Sequence, residues 1–360
     1  MPALAMPAGA APMLPHPLLL VGAYGSPYSR KMRAVLRYRR LPFRWIVRGS
    51  RADEGIPAVP VDLIPVLAFP GDDGRPADAM IDSTFQIRRL ESLARERSVV
   101  PPDPAVAFLD FLLEDYADEW LTKAMFHYRW SFAPDVLRAS HVLPLDRRLD
   151  LEPAAHAALA RAFADRQIGR LAVVGSTPAT APIIEDSYRR LLGCLDRIFR
   201  ERPFLFGERP AAADFGLHGQ LTQLVAFDPT PSAIAAEVAP RVIAWVNRVE
   251  DLAGVAVDDG GWSARADAVD GRLADLLREV GRTYAPFLVA NADAIAAKAP
   301  EVRCEIAGAS YRQRPFPYQA KCIGWLRDAR ARLADADRQW VDGVLAGTGC
   351  ELLFPDGGRP

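Results

Sequence analysis

The sequence predicts a small α/β domain followed by a larger all-helical region, and two observations lead to this prediction. Between residues 18 and 98, short apolar strands and two amphipathic helices follow one another in the order strand, helix, strand, strand, strand, helix. After the proline-rich linker Val99–Pro104, apolar residues recur mainly at helical spacing. A chain of 360 residues is long enough for two or more packed units.

Composition narrows the range of partners. Hydrophobic residues make up 50% of the chain and charged residues 25%, as in ordinary globular proteins. A formal net charge of −1 gives no electrostatic reason to expect nucleic acid or an acidic membrane as a partner. No apolar run approaches the ~20 residues that a membrane-spanning helix needs.

The N-terminus and the cysteines indicate a cytoplasmic protein. Residues 1–17 are rich in Ala and Pro and carry no Lys or Arg, so we expect a disordered tail and not a signal peptide. The cysteines, Cys194, Cys304, Cys322 and Cys350, are widely spaced, which is typical of free thiols in a reducing compartment. The five histidines show no ligand spacing with them, so we expect no metal site.

The first strand leads directly into the first helix. Leu18–Val21 is a short apolar run, and Pro27 suits the first turn of a helix that Ser26 would cap. Leu41-Pro42 ends this helix. Ser26 would then lie at the positive end of a helix dipole, a place that stabilises an anion such as a thiolate. Capping alone would also explain this serine.

The segment Ser26-Pro-Tyr-Ser-Arg-Lys-Met-Arg33 resembles the first-helix signature of the Ser-type glutathione transferases, whose N-terminal domain has the thioredoxin fold. It is also similar to the Cys-Pro-Tyr-Cys motif of glutaredoxins, with serine in both cysteine positions. This difference disfavours thiol oxidoreductase activity, because a hydroxyl group cannot form the mixed disulfide.

The remaining strands agree with this resemblance. Phe43–Val47 reads as the second strand, and Leu63–Phe69 reads as a third that begins at Pro65. The turn Pro70–Gly74 then leads to the partner strand Ala79–Ile81. The resemblance implies that Pro65 is in the cis form, which is accessible at low cost only to proline.

The second helix opens at Asp82-Ser83. Ser83 and Gln86 have the spacing of a capping box, and Ile87 and Leu90 continue the apolar stripe. The resemblance implies that Asp82 and Ser83 hold the γ-glutamyl end of glutathione, whose carboxylate suits a helix N-terminus. Capping by itself would also account for Ser83.

The helical region begins with a long aromatic-rich helix that runs from Phe108 to Trp130. Most of its aromatic residues are expected in the core. Related proteins flank their active-site cleft with such a helix, so one or two of its rings are expected to line an acceptor pocket. The candidates are Tyr116, Trp120, His127 and Tyr128.

Two further helices complete this region. Asp186–Phe199 is amphipathic, and Pro240–Val249 closes the domain. Between them, Arg209–Leu221 resembles the buried Ser/Thr-x-x-Asp helix start of the family, with Ala211 in place of the hydroxyl residue. Asp214 would accept a backbone N–H at this helix start, so its expected role is stability.

Residues 254–360 exceed what a glutathione transferase normally carries. Helical spacing covers Ala274–Tyr284, Phe287–Ala299 and Cys322–Leu345. The last of these presents an apolar face that would need covering, so we expect the extension to pack back on the body. The segment Arg312–Gln319 would lie across a groove, either at the acceptor side of the cleft or as a surface strap without a ligand role.

The resemblance implies a glutathione transferase-like protein with glutathione as co-substrate. Residues 18–98 would form the thioredoxin-like glutathione-binding domain, residues 103–253 the all-helical domain and residues 254–360 the helical extension. Ser26 would donate a hydrogen bond to the glutathione sulfur, and the thiolate would attack a small hydrophobic electrophile. Ile64 would bind the tripeptide through its main chain, beside Pro65.

Some alternatives stay open. Tyr24, which follows the first strand, is a rival for the contact with the sulfur. No basic residue is an obvious anchor for the glycine end of glutathione, although Arg48 and Arg51 are candidates in a loop that solvation alone would explain. These gaps favour a second hypothesis, a non-catalytic binding or assembly module of the same fold. A homodimer is expected from the habit of the family.

Overall fold

The computed structural model describes residues 17–257 and 260–355, so the predicted N-terminal tail lies outside the described residues except for Pro17. A four-stranded sheet organises the N-terminal domain, and its strand order is β2-β1-β3-β4. The elements are β1 Leu18–Gly22, α1 Pro27–Tyr38, β2 Phe43–Val47, β3 Val66–Pro70, β4 Pro76–Met80 and α2 Ser83–Leu93.

The sheet is mixed. Strand β1 runs parallel to β2 and antiparallel to β3, and β3 is antiparallel to β4. All five residues of β1 and of β3 are buried, because both strands lie inside the sheet, with neighbours on each side. This is the predicted thioredoxin-like arrangement, followed by the predicted helical region.

The start of α2 differs from the prediction. Asp82, and not Ser83, is the N-cap, and its carboxylate accepts the backbone N–H groups of Thr84 at 3.1 Å and Phe85 at 3.5 Å. The capping box predicted from Ser83 and Gln86 is therefore wrong. Ser83 is already helical, and the Gln86 side chain instead donates to the carbonyl oxygens of Pro65 and Met80.

The helical region contains more helices than the sequence pattern predicted. The predicted helix from Phe108 to Trp130 is interrupted at Trp120, and a helix pair, α5 and α6, follows that the sequence analysis had not identified. The helices are α3 Pro104–Glu119, α4 Leu121–Ser131, α5 Ala133–Val142, α6 Pro153–Ile168, α7 Ala181–Glu201, α8 Ala212–Leu224, α9 Pro229–Val238 and α10 Pro240–Val249.

The C-terminal extension is not wholly helical. Its elements are α11 Arg265–Ala268, α12 Gly271–Ala296, β5 Val302–Ile306, β6 Ala309–Gln313, α13 Pro317–Ala331 and α14 Asp335–Leu345. Helix α12 runs through Pro286 and joins two predicted helices, whereas the predicted helix Cys322–Leu345 is divided into α13 and α14. Strands β5 and β6 form a hairpin whose turn, Ala307-Gly308, has positive φ at both residues.

The extension shares an apolar core with the helical region. Helix α12 lies against α7 and α3, and its Phe287 and Tyr284 rings lie 5.9 Å from Trp120 and 6.1 Å from Tyr116. The Trp120, Tyr116, Phe287 and Tyr284 side chains are almost completely buried. Within residues 17–257 and 260–355, no helix is both long and apolar enough to cross a membrane.

Candidate functional site

One edge of the sheet gathers most of the residues that the sequence singled out. The end of β1 and the end of β4 both lie beside the start of β3. Val21 of β1 pairs with Val66, and Met80 of β4 pairs with Leu67. The turn after β1, the residue before β3 and the residues after β4 therefore lie at this edge. They carry Ser26, Pro65 and Asp82-Ser83.

Ser26 is the N-cap of α1. Its backbone is extended, with φ −96° and ψ 118°, and its hydroxyl oxygen accepts the backbone N–H of Ser29 at 3.3 Å. The residue is half-buried. Because the hydroxyl only accepts in this bond, its own proton is free to donate to a ligand. Ser26 thus offers a donor at the positive end of a helix.

The helical region holds the turn that carries Ser26. Arg129 donates to the carbonyl oxygen of Gly25 at 2.9 Å and is paired with the buried Asp228 carboxylate at 2.9 Å. Gln223 accepts from Arg129 at 2.7 Å and donates to the carbonyl oxygen of Tyr24 at 3.2 Å. Two helices of the helical region, α4 and α8, therefore fix the turn that carries Ser26.

Space around this turn is tight. A Cβ atom on Gly25 would lie 2.6 Å from a methyl carbon of Leu143, in the short helical turn Leu143–Asp146 that follows α5. Any larger residue at Gly25 would have to displace Leu143. This contact places the segment between α5 and α6 beside the candidate site, a proximity that no local sequence pattern predicted.

Tyr24 belongs to the same turn. Its ring is 40% exposed, stacks over the guanidinium of Arg33 at 5.0 Å and lies 5.4 Å from the ring of Trp45. The ring is thus supported on one side and open to solvent on another. Both candidates for the contact with the sulfur, Ser26 and Tyr24, remain in the site.

The Ile64–Pro65 peptide bond is cis, as the resemblance implies. Pro65 is buried and comes directly before β3, whereas Ile64 is half-buried. The carbonyl oxygen of Pro65 accepts from the Gln86 side chain at 2.9 Å. This bond ties the loop that carries Ile64 to the first turn of α2.

Asp82 and Ser83 point to different surroundings. Asp82 has a φ of +75°, and while one of its oxygens caps α2, the other accepts a hydrogen bond from the hydroxyl of Tyr318 in α13. The Ser83 hydroxyl is buried and lies 3.1 Å from the ammonium of Lys31. The Asp82 carboxylate thus faces the C-terminal extension, and the Ser83 hydroxyl faces the interior.

Lys31 forms a buried cluster that the sequence analysis missed. Its ammonium lies 2.6 Å from Glu114 and 2.5 Å from Asp118, both on α3. Burial acts to lower the pKa of Lys31, but the two carboxylates outweigh it and raise the pKa, so the lysine stays charged. The sequence signal was the spacing of Lys31, Val35 and Tyr38, which places the lysine on the apolar face of α1.

Helix α3 carries further buried acids toward the extension. Asp115 accepts from the Tyr284 hydroxyl at 2.6 Å, and Glu119 accepts from the Gln319 side chain at 3.0 Å. Burial raises the pKa of Asp115 to about 7 and that of Glu119 to about 8. Polar bonds as well as apolar contacts therefore join the extension to α3.

The four acceptor-pocket candidates are all buried. The indole N–H of Trp120 donates to Ser187 at 3.2 Å, and the His127 ring contacts Glu185 at 3.2 Å. Tyr128 lines a surface cavity of about 520 Å³ between α4, α7 and α9, and neither Ser26 nor Asp82 lines it. Core packing is thus what the structure shows for Tyr116 and Trp120.

The basic candidates occupy the loop after β2. Arg48 forms ion pairs with Asp62 and, at 3.5 Å, with Asp53, whereas Arg51 is exposed. Arg147, which follows the short helical turn Leu143–Asp146, reaches this loop as well, because a Cβ atom on Gly49 would lie 3.3 Å from its Nε. No local sequence pattern indicated that Arg147 would lie near this loop.

The N-terminal domain matches a known family. Residues 20–98 match the model of the glutathione S-transferase N-terminal domain. The predicted resemblance to glutathione transferases is thereby confirmed for this domain. No curated protein sequence matches the chain significantly.

Solved structures of glutathione transferases are similar to this chain at low identity. One from Methylobacterium radiotolerans, in complex with glutathione sulfonate, is 19% identical over 69% of this chain and 96% of that chain, with a TM-score of 0.39. One from rice, in complex with glutathione, is 20% identical over 65% and 87%, with a TM-score of 0.37. One from Rhodospirillum rubrum is 17% identical over 70% and 99%, with a TM-score of 0.40.

Proposed function

We propose that this protein is a glutathione transferase that conjugates glutathione, as co-substrate, to a small hydrophobic electrophile. The observation that carries the proposal is the convergence of Ser26, the cis Ile64–Pro65 bond and Asp82 at one edge of a thioredoxin-like sheet. The match of residues 20–98 to the transferase N-terminal domain supports it. The glutathione complexes of the similar structures motivate the choice of ligand.

The chemistry begins with the thiol of glutathione. Ser26 donates its free O–H to the sulfur, and the positive end of α1 favours the thiolate, so the thiol releases its proton to solvent near neutral pH. The thiolate then forms a bond to the electrophilic carbon as the leaving group departs with its electron pair. Ser26 stabilises the sulfur but does not itself form a covalent bond.

Three residues position the tripeptide in this proposal. Ile64 binds its backbone through the main chain beside Pro65. Asp82 pairs with the ammonium of the γ-glutamyl end. Ser83 contributes the backbone N–H at the first position of α2, because its hydroxyl is already engaged by Lys31.

We place this reaction in the cytoplasm, with a homodimer as the working form. Titration calorimetry with glutathione, followed by a conjugation assay with a generic aryl halide, tests the function. Saturable binding together with turnover above the uncatalysed rate is the expected result. Absence of glutathione binding would contradict the proposal.

The second candidate is a non-catalytic binding or assembly module. The observation that favours it is that several polar groups of the site already have partners within the chain: Asp82 with Tyr318, Ser83 with Lys31 and Arg48 with two aspartates. Glutathione binding without conjugation of any electrophile would favour the binding module. A chain that neither binds glutathione nor conjugates it to an electrophile would favour an assembly role.

A further inference from the structure

The C-terminal extension reaches the candidate site through the side chain of Tyr318. Tyr318 stands at the start of α13, and its hydroxyl donates to Asp82, which lies 236 residues earlier in the chain. The other carboxylate oxygen of Asp82 caps α2. The segment Arg312–Gln319 therefore touches the proposed γ-glutamyl subsite and not only a surface groove.

This contact is firmly supported. The Tyr318 ring lies 5.7 Å from that of Trp325, which packs edge-on against Phe85 of α2 at 4.9 Å. Asn291 of α12 bonds both backbone groups of Phe316, which precedes α13, at 2.8 and 3.0 Å. Aromatic packing and paired hydrogen bonds thus hold Tyr318 beside Asp82.

The two oxygens make a suitable receptor for an ammonium group. The Tyr318 hydroxyl has one proton, which it donates to Asp82, and its oxygen keeps lone pairs that accept. Burial, and then the neighbouring Asp82 carboxylate, hold the pKa of Tyr318 well above its ordinary value, so this donor persists at neutral pH. An ammonium has three N–H donors and can bond both oxygens at once.

We propose that Tyr318 is a ligand-contacting residue that, with Asp82, binds the free ammonium of the γ-glutamyl end of glutathione. The inference rests on the proposed function and deepens it. In this proposal the extension helps to select ligands that have a free α-amino group. Without Tyr318, that selection would depend on residues 18–98 alone.

The test compares two ligands on three proteins. Calorimetry measures the binding of glutathione, and of a deamino analogue that lacks the α-ammonium, to the full wild-type chain, to Tyr318→Phe and to Tyr311→Phe. Tyr311 is the matched control, because its hydroxyl also lies in the extension but donates to Gln313 at 2.9 Å. Thermal unfolding of each protein checks that it is folded.

We expect Tyr318→Phe to weaken glutathione binding by roughly tenfold, the loss typical of one hydrogen bond to a charged group. Binding of the deamino analogue should change by less than about twofold, since no ammonium is present to lose a partner. Tyr311→Phe should leave both affinities at the wild-type values. This ligand-specific loss would support the inference, because a merely structural role would weaken both ligands alike.

Four results would overturn it. Equal losses for both ligands would make Tyr318 structural, and unchanged glutathione binding would remove it from the site. Tighter glutathione binding by Tyr318→Phe would show that the hydroxyl competes with the ligand for Asp82. If the wild-type chain itself does not bind glutathione, the proposed function fails and this inference with it. In the first three results the proposed function survives.

Discussion

The hydroxyl group of Ser26 can serve two partners at once. Its oxygen accepts the Ser29 N–H, and its proton can still donate to the sulfur of glutathione. Ser26→Ala should lower the turnover of glutathione conjugation by ~10²-fold and leave glutathione affinity within a few-fold, as for a lost transition-state hydrogen bond. Steady-state kinetics and calorimetry measure both. Unchanged turnover would move the contact with the sulfur to Tyr24 or exclude the mechanism.

Ser26→Cys complements this test. A thiol at the N-terminus of α1 would be activated by the helix dipole and should attack glutathione disulfide, forming a mixed disulfide and releasing one glutathione thiolate. Mass spectrometry of the intact protein detects the mixed disulfide. Ser29→Cys is the matched control, because Ser29 is buried on the same helix. Failure of the Ser26→Cys chain to form the disulfide would show that residue 26 does not meet the sulfur.

The raised pKa of Glu119 predicts that the free energy of unfolding depends on pH. Burial, and then Asp115 and Asp118, raise its pKa to about 8, while Gln319 and Lys123 act in the opposite direction. The folded chain therefore holds this proton up to about pH 8, whereas the unfolded chain releases it near its ordinary pKa. The stability that it contributes is complete at low pH and is lost as pH rises through about 8.

Urea unfolding of wild type and Glu119→Gln between pH 5 and pH 8 measures this effect. The free energy of unfolding of wild type should fall relative to the variant by up to about 1.4 kcal/mol per pH unit. Glu237→Gln, at an exposed site, is the matched control and should follow wild type. Parallel pH profiles for wild type and Glu119→Gln would contradict the assignment.

Among the elements, α8 shows how a single acid can organise a helix start. Ala211 offers no hydroxyl, but Asp214 accepts the backbone N–H of Ala211 at 2.9 Å and that of Leu205 at 3.0 Å. Both bonds are buried, and burial raises the pKa of Asp214 to about 7. Asp214, the part of the Ser/Thr-x-x-Asp motif that this chain retains, thus joins the start of α8 to the segment around Leu205.

Asp214→Ala should lower the free energy of unfolding by ~2–4 kcal/mol, because two buried N–H groups lose their acceptor. Asp214→Asn, which keeps one acceptor oxygen, should lose less. Chemical denaturation gives the stabilities, and activity per folded molecule should survive in both variants. A stable variant without activity would show that Asp214 has a catalytic role.

At the scale of the whole molecule, the extension and the body share one core through α12. Truncation after Leu252 would expose the buried Tyr116 and Trp120 side chains that α12 covers. We therefore expect the shortened chain to aggregate or to unfold at a markedly lower temperature. Size-exclusion chromatography and thermal unfolding measure this. A soluble, monodisperse chain as heat-stable as the full protein would show that the extension is independent.

Local patterns in the sequence were enough to predict the sheet edge that carries the candidate site. An apolar strand before Ser26-Pro27, and a proline at the start of another strand, restrict the backbone through neighbours in the chain alone. The order of elements up to residue 98 then limits the topology to few arrangements. The N-cap role of Ser26 was therefore predictable from the residues themselves. The cis form of Pro65 and the thioredoxin-like sheet were predictable only from the resemblance to the glutathione transferases.

Only the tertiary structure decided which distant residues meet at that edge. Lys31 forms ion pairs with Glu114 and Asp118 on α3. Asp82 accepts a hydrogen bond from Tyr318, which lies far along the chain. Ser83 has the spacing of a cap, yet its hydroxyl faces the buried lysine while Asp82 caps the helix. Sequence spacing describes the turns of one element, whereas these choices depend on how separate elements pack, because a buried polar group takes whichever partner packing brings within reach.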